Sequence, residues 1–230
     1  KLKHIKHNYF RDFRLSSVNE KESIVLRDNS KIYDIDFLRK YDYVLPILPE
    51  IDMSLYLYVK YLEKNGVDAV ISNSQTIKIC SDKLKFYKFC QKNSLPAIDT
   101  YQKYSSNLHN KLLLIKDRYG AGCSHIEITK NKKNLELIKD DKIIQPYING
   151  DDYSISIYFT KNNFYILTIN KQILEYKNNR ARLSSIIVNV EHPAYLKIIN
   201  LISKIKDSLP VLDGFAGIEI ITKGKDVFII

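Results

Sequence analysis

Tryptophan is absent from the 230 residues, methionine occurs once, and there are only seven glycines, six prolines and three cysteines. No apolar run approaches the ~18 residues needed to cross a bilayer, and the first ten residues, KLKHIKHNYF, lack the apolar stretch of a secretory signal. A helical membrane protein is therefore excluded, no membrane partner is implied, and the expected compartment is the cytoplasm. Cys80, Cys90 and Cys123 are odd in number and too widely spaced for a zinc or redox motif. Cys90 follows Leu84 and Tyr87 at three-residue steps, which predicts a packing role on a buried helix face.

What is present is a hydrophobic fraction of 45%, enough for a sizeable core, and a net charge of +10. That charge is mostly lysine spread along the chain, with arginine only at positions 11, 14, 27, 39, 118, 180 and 182. A nucleic-acid face usually clusters its arginines, because the guanidinium fork matches phosphate and base edges. Scattered lysine argues against a nucleic-acid partner and is compatible with attracting acidic small molecules.

With glycine and proline so scarce, each one punctuates the chain. The apolar run YDYVLPILPE (41–50) is followed by SLYLYVKYLEKNG (54–66), where Leu55, Val59 and Leu62 have helical spacing and Gly66 ends the helix. VDAVISN (67–73) then reads as a buried strand, completing a strand–helix–strand unit of α/β type. A second helix is predicted from Ser81, its candidate N-cap, to about Asn93.

Beyond Pro96 the pattern becomes α+β. KLLLIK (111–116), HIEIT (125–129) and KIIQPY (142–147) read as short strands, with KNLELIK (133–139) as a short helix. After Gly150, DYSISIYF, NFYILTIN and LSSIIVNV alternate as an antiparallel sheet requires. A helix over 193–207 precedes FAGIEIIT and DVFII, which pair around a Lys223-Gly224-Lys225 turn. The boundaries this suggests are 1–78, an α/β domain incomplete at its start; 79–148, a small α+β lobe; and 149–230, a larger antiparallel lobe ending inside its last strand.

The strongest chemical signal is KDRYGAGCSH (116–125), in which a lysine precedes Gly120, Ala121, Gly122 and Cys123. Small residues let backbone N–H groups approach an anion, and the lysine adds a point charge for phosphate. No Gly-Lys-Ser/Thr follows, so this is not a P-loop, and a tight hairpin is the competing explanation.

SDKLKF (81–86), IIQPYINGDDYS (143–154) and GFAGIEII (214–221) surround this loop in the order and spacing of one family. Over roughly residues 40–230 the chain resembles the ATP-grasp ligases. The resemblance implies nucleotide held between a small α+β lobe and a larger antiparallel-sheet lobe, behind a preceding α/β domain. It assigns Lys83 and Lys116 to the phosphates, and Gly120, Ala121, Gly122 and Cys123 to a loop over the triphosphate. Gln145 and the backbone of Tyr147 and Ile148 would meet adenine, Asp152 the ribose hydroxyls, and Glu219 a divalent metal, Mg2+ or Mn2+. The residue types suit those tasks: lysines neutralise phosphate, a carboxylate accepts from hydroxyls, and a carboxylate holds a hard cation.

The implied activity is ATP-dependent joining of a small-molecule acid to an amine through an acyl phosphate, with catalysis mainly by positioning and charge neutralisation. Arg180 and Arg182, in the polar segment YKNNRARL, and Lys171 of INKQIL are candidate catalytic residues. LPE at 48–50, SNSQTIKICSDK and INKQIL look most like the branch that joins tyramine to glutamate in methanofuran biosynthesis. The chain departs from common family patterns at Asp117, Pro146 and Gly217, and it ends within the strand expected to bring a second metal ligand. A different ligase of the family, a domain that only senses nucleotide, and a basic nucleic-acid-binding protein remain as alternatives. The sequence carries no signal for oligomeric state.

Overall fold

Leu55, Tyr58, Val59 and Leu62 recur at three- and four-residue steps and make one buried stripe of helix α2 (Ser54–Lys64). In the computed structural model, which describes residues 3–4, 31–48, 52–120, 126–130, 135 and 138–230, Tyr58 and Leu62 of this stripe pack with Ile32, Leu38, Val44 and Val67, while Leu55 and Val59 pack with Ile77. Helix α1 (Ile35–Leu38) and the two-residue strands β1 (Lys3–His4) and β2 (Val44–Leu45), paired in parallel, belong to the same amino-terminal part. Gly66 takes φ +63 after α2, the left-handed turn that glycine permits without a Cβ penalty.

Two expectations for this part change. The segment predicted as a strand at 67–73 forms only an isolated bridge, Val44 to Ala69, because Asp68 and Val70 bond the single residue Val44 before the chain turns away. It leads directly into α3 (Ser74–Cys80), capped by the Asn73 side chain. Helix α4 (Lys83–Lys92) is capped by Asp82, whose carboxylate accepts from Leu84 N and Lys85 N; Ser81 instead ends α3. An ionised oxygen is the stronger acceptor for those N–H groups, and its charge suits the helix N-terminus.

The other eight strands form one sheet in the order β10-β9-β6-β7-β8-β4-β3-β5. They are β3 (Leu113–Asp117), β4 (Ile126–Thr129), β5 (Lys142–Pro146), β6 (Asp151–Phe159), β7 (Phe164–Lys177), β8 (Arg180–Ile187), β9 (Gly214–Lys223) and β10 (Asp226–Ile229). The three short strands expected for the small lobe therefore join the large sheet, through Ile126 opposite Ala181 and Glu127 opposite Arg180. Extended residues 96–101 then tie the two outer strands together: Ala97 bridges Ile229 of β10, and Tyr101 bridges Ile144 of β5.

Period-two alternation turns Tyr153, Ile155, Ile157 and Phe159 toward helix α5 (Tyr195–Ser208), whose Ile198, Leu201, Ile202 and Ile205 complete the main core. Each such side chain contributes on the order of 1.5–3 kcal/mol by leaving water. Cys90 is fully buried there, as its spacing predicts, and burial pushes its thiol up to about 12. A smaller cluster backs β3 and β5 with Leu108, Leu113, Ile115, Leu135 and Ile144. Of the helix predicted at 133–139, residues 133, 134, 136 and 137 lie outside the described residues. Gly150 enters β6 where a Cβ would stand 2.5 Å from the Thr222 carbonyl oxygen, so no larger residue fits without moving β9. Among the described residues, no helix is long and apolar enough to cross a membrane.

Candidate functional site

The face of β6 turned away from the core carries Asp152, Ser154 and Ser156, the residues between its buried apolar ones. Ser154 stands opposite Glu219 of β9 on one side and Asn170 of β7 on the other. Across from this polar strip, Lys116 of β3 is paired with Ile143 and shares its face with Leu114 and Gln145. Only 8% of Lys116 is exposed, and a lysine that buried needs a nearby negative charge to stay ionised.

Asp152 supplies that field. Burial pushes its carboxyl up to about 6, the Glu219 and Asp151 charges push in the same direction, and Lys116 opposes them. Lys116 and Glu219 thus both act electrostatically on Asp152, although the three come from three different strands.

Lys83, the first residue of α4, donates from Nζ to the Gly120 carbonyl at 2.5 Å. Lys83, Gly120, Ser154, Gly217 and Glu219 line a cavity of about 460 Å³, which runs along β9 toward Phe215. Gly217 has nothing within 4 Å of where a Cβ would sit, so its lack of a side chain leaves open space beside Glu219. Asp117, another departure from the family pattern, is paired with Lys142 of β5.

Gln145 is 3% exposed and donates from Nε2 to Thr100 Oγ1 at 2.9 Å, while its Oε1 has no hydrogen-bond partner among the described residues. A buried acceptor without a donor is costly, typically about 1–3 kcal/mol, and calls for a ligand or water. That orphaned oxygen, a buried lysine and two carboxylates fit the base, phosphates and sugar or cation of a nucleotide.

Several expected residues stand elsewhere. Tyr147 follows β5, but its N–H is committed to the Leu112 carbonyl at 2.8 Å, so other backbone groups near Ile148 have to meet a purine edge. Arg180 and Arg182 are not in a loop: they lie on β8, because Asn178 and Asn179, with φ +51 and +59, make a two-residue turn after a β7 that runs on to Lys177. Their register partners on neighbouring strands include Glu127 and Glu175, on the face opposite Lys116 and Asp152. Lys171 pairs with Asp151 at 2.8 Å beside the Tyr153 ring, again across the sheet from Asp152 and Glu219. None of these three is brought to the polar strip. Ala121, Gly122 and Cys123 lie outside the described residues, as do Pro49 and Glu50 of the LPE motif.

Sequence reasoning passed over Asp82, Arg118, Thr100 and Ser154. Asp before a helical run is a cap signal, and the alternation Asp152, Ser154, Ser156 is legible at period two. Nothing in the sequence marks Thr100, which lies 45 residues from its partner Gln145.

Comparison with known proteins agrees with this geometry. The chain is 26% identical over 221 residues to a tyramine–L-glutamate ligase of Methanocaldococcus fervens, covering 96% of the chain and 66% of that protein, so it spans slightly less than two thirds of the relative's length. An ATP-grasp superfamily protein of Archaeoglobus fulgidus superposes with a TM-score of 0.70 at 23% identity, covering 90% of this chain and 62% of that one. The D-alanine–D-alanine ligase of Bacillus anthracis, crystallised with ATP, gives a TM-score of 0.70 at 18% identity over 99% of this chain and 83% of its own. These two likenesses show the fold. The ATP-grasp domain pattern itself matches residues 80–230, all the strands from β3 to β10 included, and the chain belongs to the ATP-grasp family.

Proposed function

We propose that this chain binds ATP with a divalent cation, and that the protein it represents joins a carboxylate to an amine, with glutamate and tyramine as the first pair to consider. The observation that carries the reading is the convergence of Lys116, Asp152 and Glu219 on one face of the sheet, with Lys83 sharing the cavity of Glu219. The relative's name supplies the substrate pair and the family supplies the class of reaction.

In this reading Lys83 and Lys116 neutralise the triphosphate, Asp152 accepts from the ribose hydroxyls, and Gln145 Oε1 accepts from the base. Charge-assisted contacts of this type are the strong ones, and a buried lysine pays no reorganisation when phosphate arrives. Glu219 offers one carboxylate to Mg2+ or Mn2+; among the described residues no three acidic, imidazole or thiol groups converge as a full cage. A hard cation bound there takes its other oxygens from elsewhere, as Mg2+ does with phosphate and water. The cation would neutralise charge on the transferring phosphoryl group. The acid's carboxylate takes the γ-phosphoryl group of ATP, releasing ADP, and the amine then displaces inorganic phosphate from the acyl phosphate to leave the amide. The division at residues 78 and 148 into a preceding domain and two lobes is part of the same proposal.

The test is ADP release by the purified protein with MgATP, glutamate and tyramine, each omitted in turn. Release that requires both partners and yields a γ-glutamyl amide supports the reading. ATP binding without release for any acid–amine pair identifies a nucleotide-sensing domain instead, and release with a different pair moves the protein elsewhere in the family. Nucleic-acid binding that weakens steeply with salt, in the absence of ATP binding, would displace the reading altogether.

A further inference from the structure

Asp82 is wholly buried, and both oxygens of its carboxylate accept hydrogen bonds. Its Oδ1 accepts from Leu84 N at 3.1 Å, Lys85 N at 3.2 Å and Arg118 Nε at 2.8 Å. Its Oδ2 accepts from Arg118 Nη2 at 2.8 Å and from the Tyr119 hydroxyl at 3.4 Å. Burial raises the carboxyl, but the hydrogen bonds from Arg118 and the Lys85 backbone and the charges of Arg118 and Lys85 outweigh it, holding Asp82 below the usual range.

Arg118 is fixed at its backbone as well. Its carbonyl accepts from Lys83 N at 3.2 Å and its N–H donates to the Asp141 carbonyl at 2.8 Å. Three hydrogen bonds therefore join Asp82 and Lys83 at the start of α4 to a residue just beyond β3: two form the guanidinium–carboxylate fork, and one runs backbone to backbone.

The positions of these residues give the fork a task. Lys83 immediately follows Asp82, and Lys116 stands two residues before Arg118. The two lysines come from separate elements, a helix and a strand, so their spacing depends on what joins those elements. A bidentate fork restrains both distance and orientation, which a single point contact does not. Beyond the fork, Lys83 Nζ reaches the Gly120 carbonyl, two residues past Arg118.

We infer that the Asp82–Arg118 fork is a positioning clamp that sets Lys83 against Lys116 and against the base of the glycine loop, so that one triphosphate meets both ammonium groups. The inference rests on the proposed ATP site. Neither Asp82 nor Arg118 touches the nucleotide: Asp82 is wholly buried and its oxygens are already engaged, and Arg118 is spent on it.

The test uses the full chain, MgATP and inorganic tripolyphosphate as probes, and the variants Arg118→Lys, Lys83→Ala and the two combined. Removing the Asp82 charge leaves Arg118 unpaired in a partly buried setting and can cost the fold, so Arg118→Lys, which keeps the charge and loses the fork, is the deciding variant. Arg118→Lys is expected to weaken both probes about tenfold, the scale of one charged hydrogen bond, with the helical signal retained. In the Lys83→Ala background the same change is expected to cost less than about twofold, because the clamp acts through Lys83. In protein that turns over, KM for ATP should rise with kcat nearly constant.

If Arg118→Lys binds both probes as tightly as the unmodified chain, or costs the same with and without Lys83, the clamp is overturned. If the unmodified chain does not bind MgATP, the functional reading falls and the clamp falls with it.

Discussion

Asp152 and Glu219 are diagonal neighbours on one face of the β6–β9 ladder: Asp152 is opposite Ile221, and Glu219 is opposite Ser154. Diagonal positions are close enough for long side chains to interact, and here the half-buried Asp152 stands beside the exposed Glu219 with the buried Lys116 across from them. The Glu219 charge raises the proton affinity of Asp152, and Lys116 opposes it.

Burial, helped by the Glu219 and Asp151 charges, places the folded-state titration of Asp152 at about 6, above the ordinary 3.8. A carboxyl raised in the folded state binds its proton more tightly there than in the unfolded chain. Its contribution is fully present below 3.8 and is lost as the pH rises through about 6. Without nucleotide or metal, Asp152→Asn should flatten the stability change across that window and be at least as stable as the unmodified chain at neutral pH. Thermal unfolding followed from pH 4 to 7.5 would settle it, and parallel curves for the two proteins would refute the assignment.

Lys116 has the opposite role, since it holds Asp152 toward its ionised form. Lys116→Met keeps the aliphatic bulk at a position that is 8% exposed and removes the charge. ATP affinity is expected to fall by about tenfold to a hundredfold, the worth of one charge-assisted contact of roughly 1.5–3 kcal/mol. The Asp152 titration should move further up at the same time. Calorimetric ATP binding together with the pH profile measures both, and unchanged affinity would remove Lys116 from the phosphate site.

Much of this frame is legible in the residues because hydrophobic periodicity and tertiary packing agree there. Helices α2 and α5 show their three- and four-residue stripes, β6 its alternation, and the β9–β10 hairpin its turn at Gly224. The elements missed are those where local signals are short or misleading. Helix α3 is seven residues with only Thr76 and Ile77 buried, too few to show a period. The turn at Asn178–Asn179 has no glycine, although asparagine tolerates positive φ well enough to make one.

The candidate site divides in the same way. Strand alternation and motif order point the same way for Lys116, Asp152 and Glu219, which stand on one face of the sheet, and Lys83 lines the cavity of Glu219. Arg180, Arg182 and Lys171 stand on the other face, which residue type alone does not tell, since the face a strand residue takes depends on register, and register depends on a turn within a polar segment.

Those three residues give a direct check of the sheet geometry. Lys171 is engaged with Asp151, and the two arginines stand opposite Glu127 and Glu175 on the face away from Lys116. Arg180→Ala, Arg182→Ala and Lys171→Ala are each expected to change ATP affinity by less than about twofold, as exposed pairs are worth about 1 kcal/mol at most. A loss above tenfold for either arginine would show that β8 turns it toward the nucleotide.

Which base the site accepts turns on the Thr100–Gln145 pair. Thr100 Oγ1 donates its only proton to the Ile98 carbonyl at 2.9 Å, so toward Gln145 it can only accept. That fixes the amide: Nε2 points to Thr100 at 2.9 Å, and Oε1 is the atom left inside without a partner among the described residues. An acceptor in that position suits the exocyclic amine of adenine and opposes the carbonyl that guanine carries at the same place. Thr100→Val keeps the shape of the residue and removes both hydrogen bonds, freeing the amide to turn over. The ATP-to-GTP affinity ratio is then expected to shrink about tenfold, with a stability loss of about 1–3 kcal/mol for the stranded amide. Gln145→Leu should remove the discrimination altogether. Competition of the two nucleotides for unmodified and substituted protein measures the ratio directly. An unchanged ratio in Thr100→Val would mean that the base is read elsewhere, by the backbone after β5, and that Gln145 only fills space.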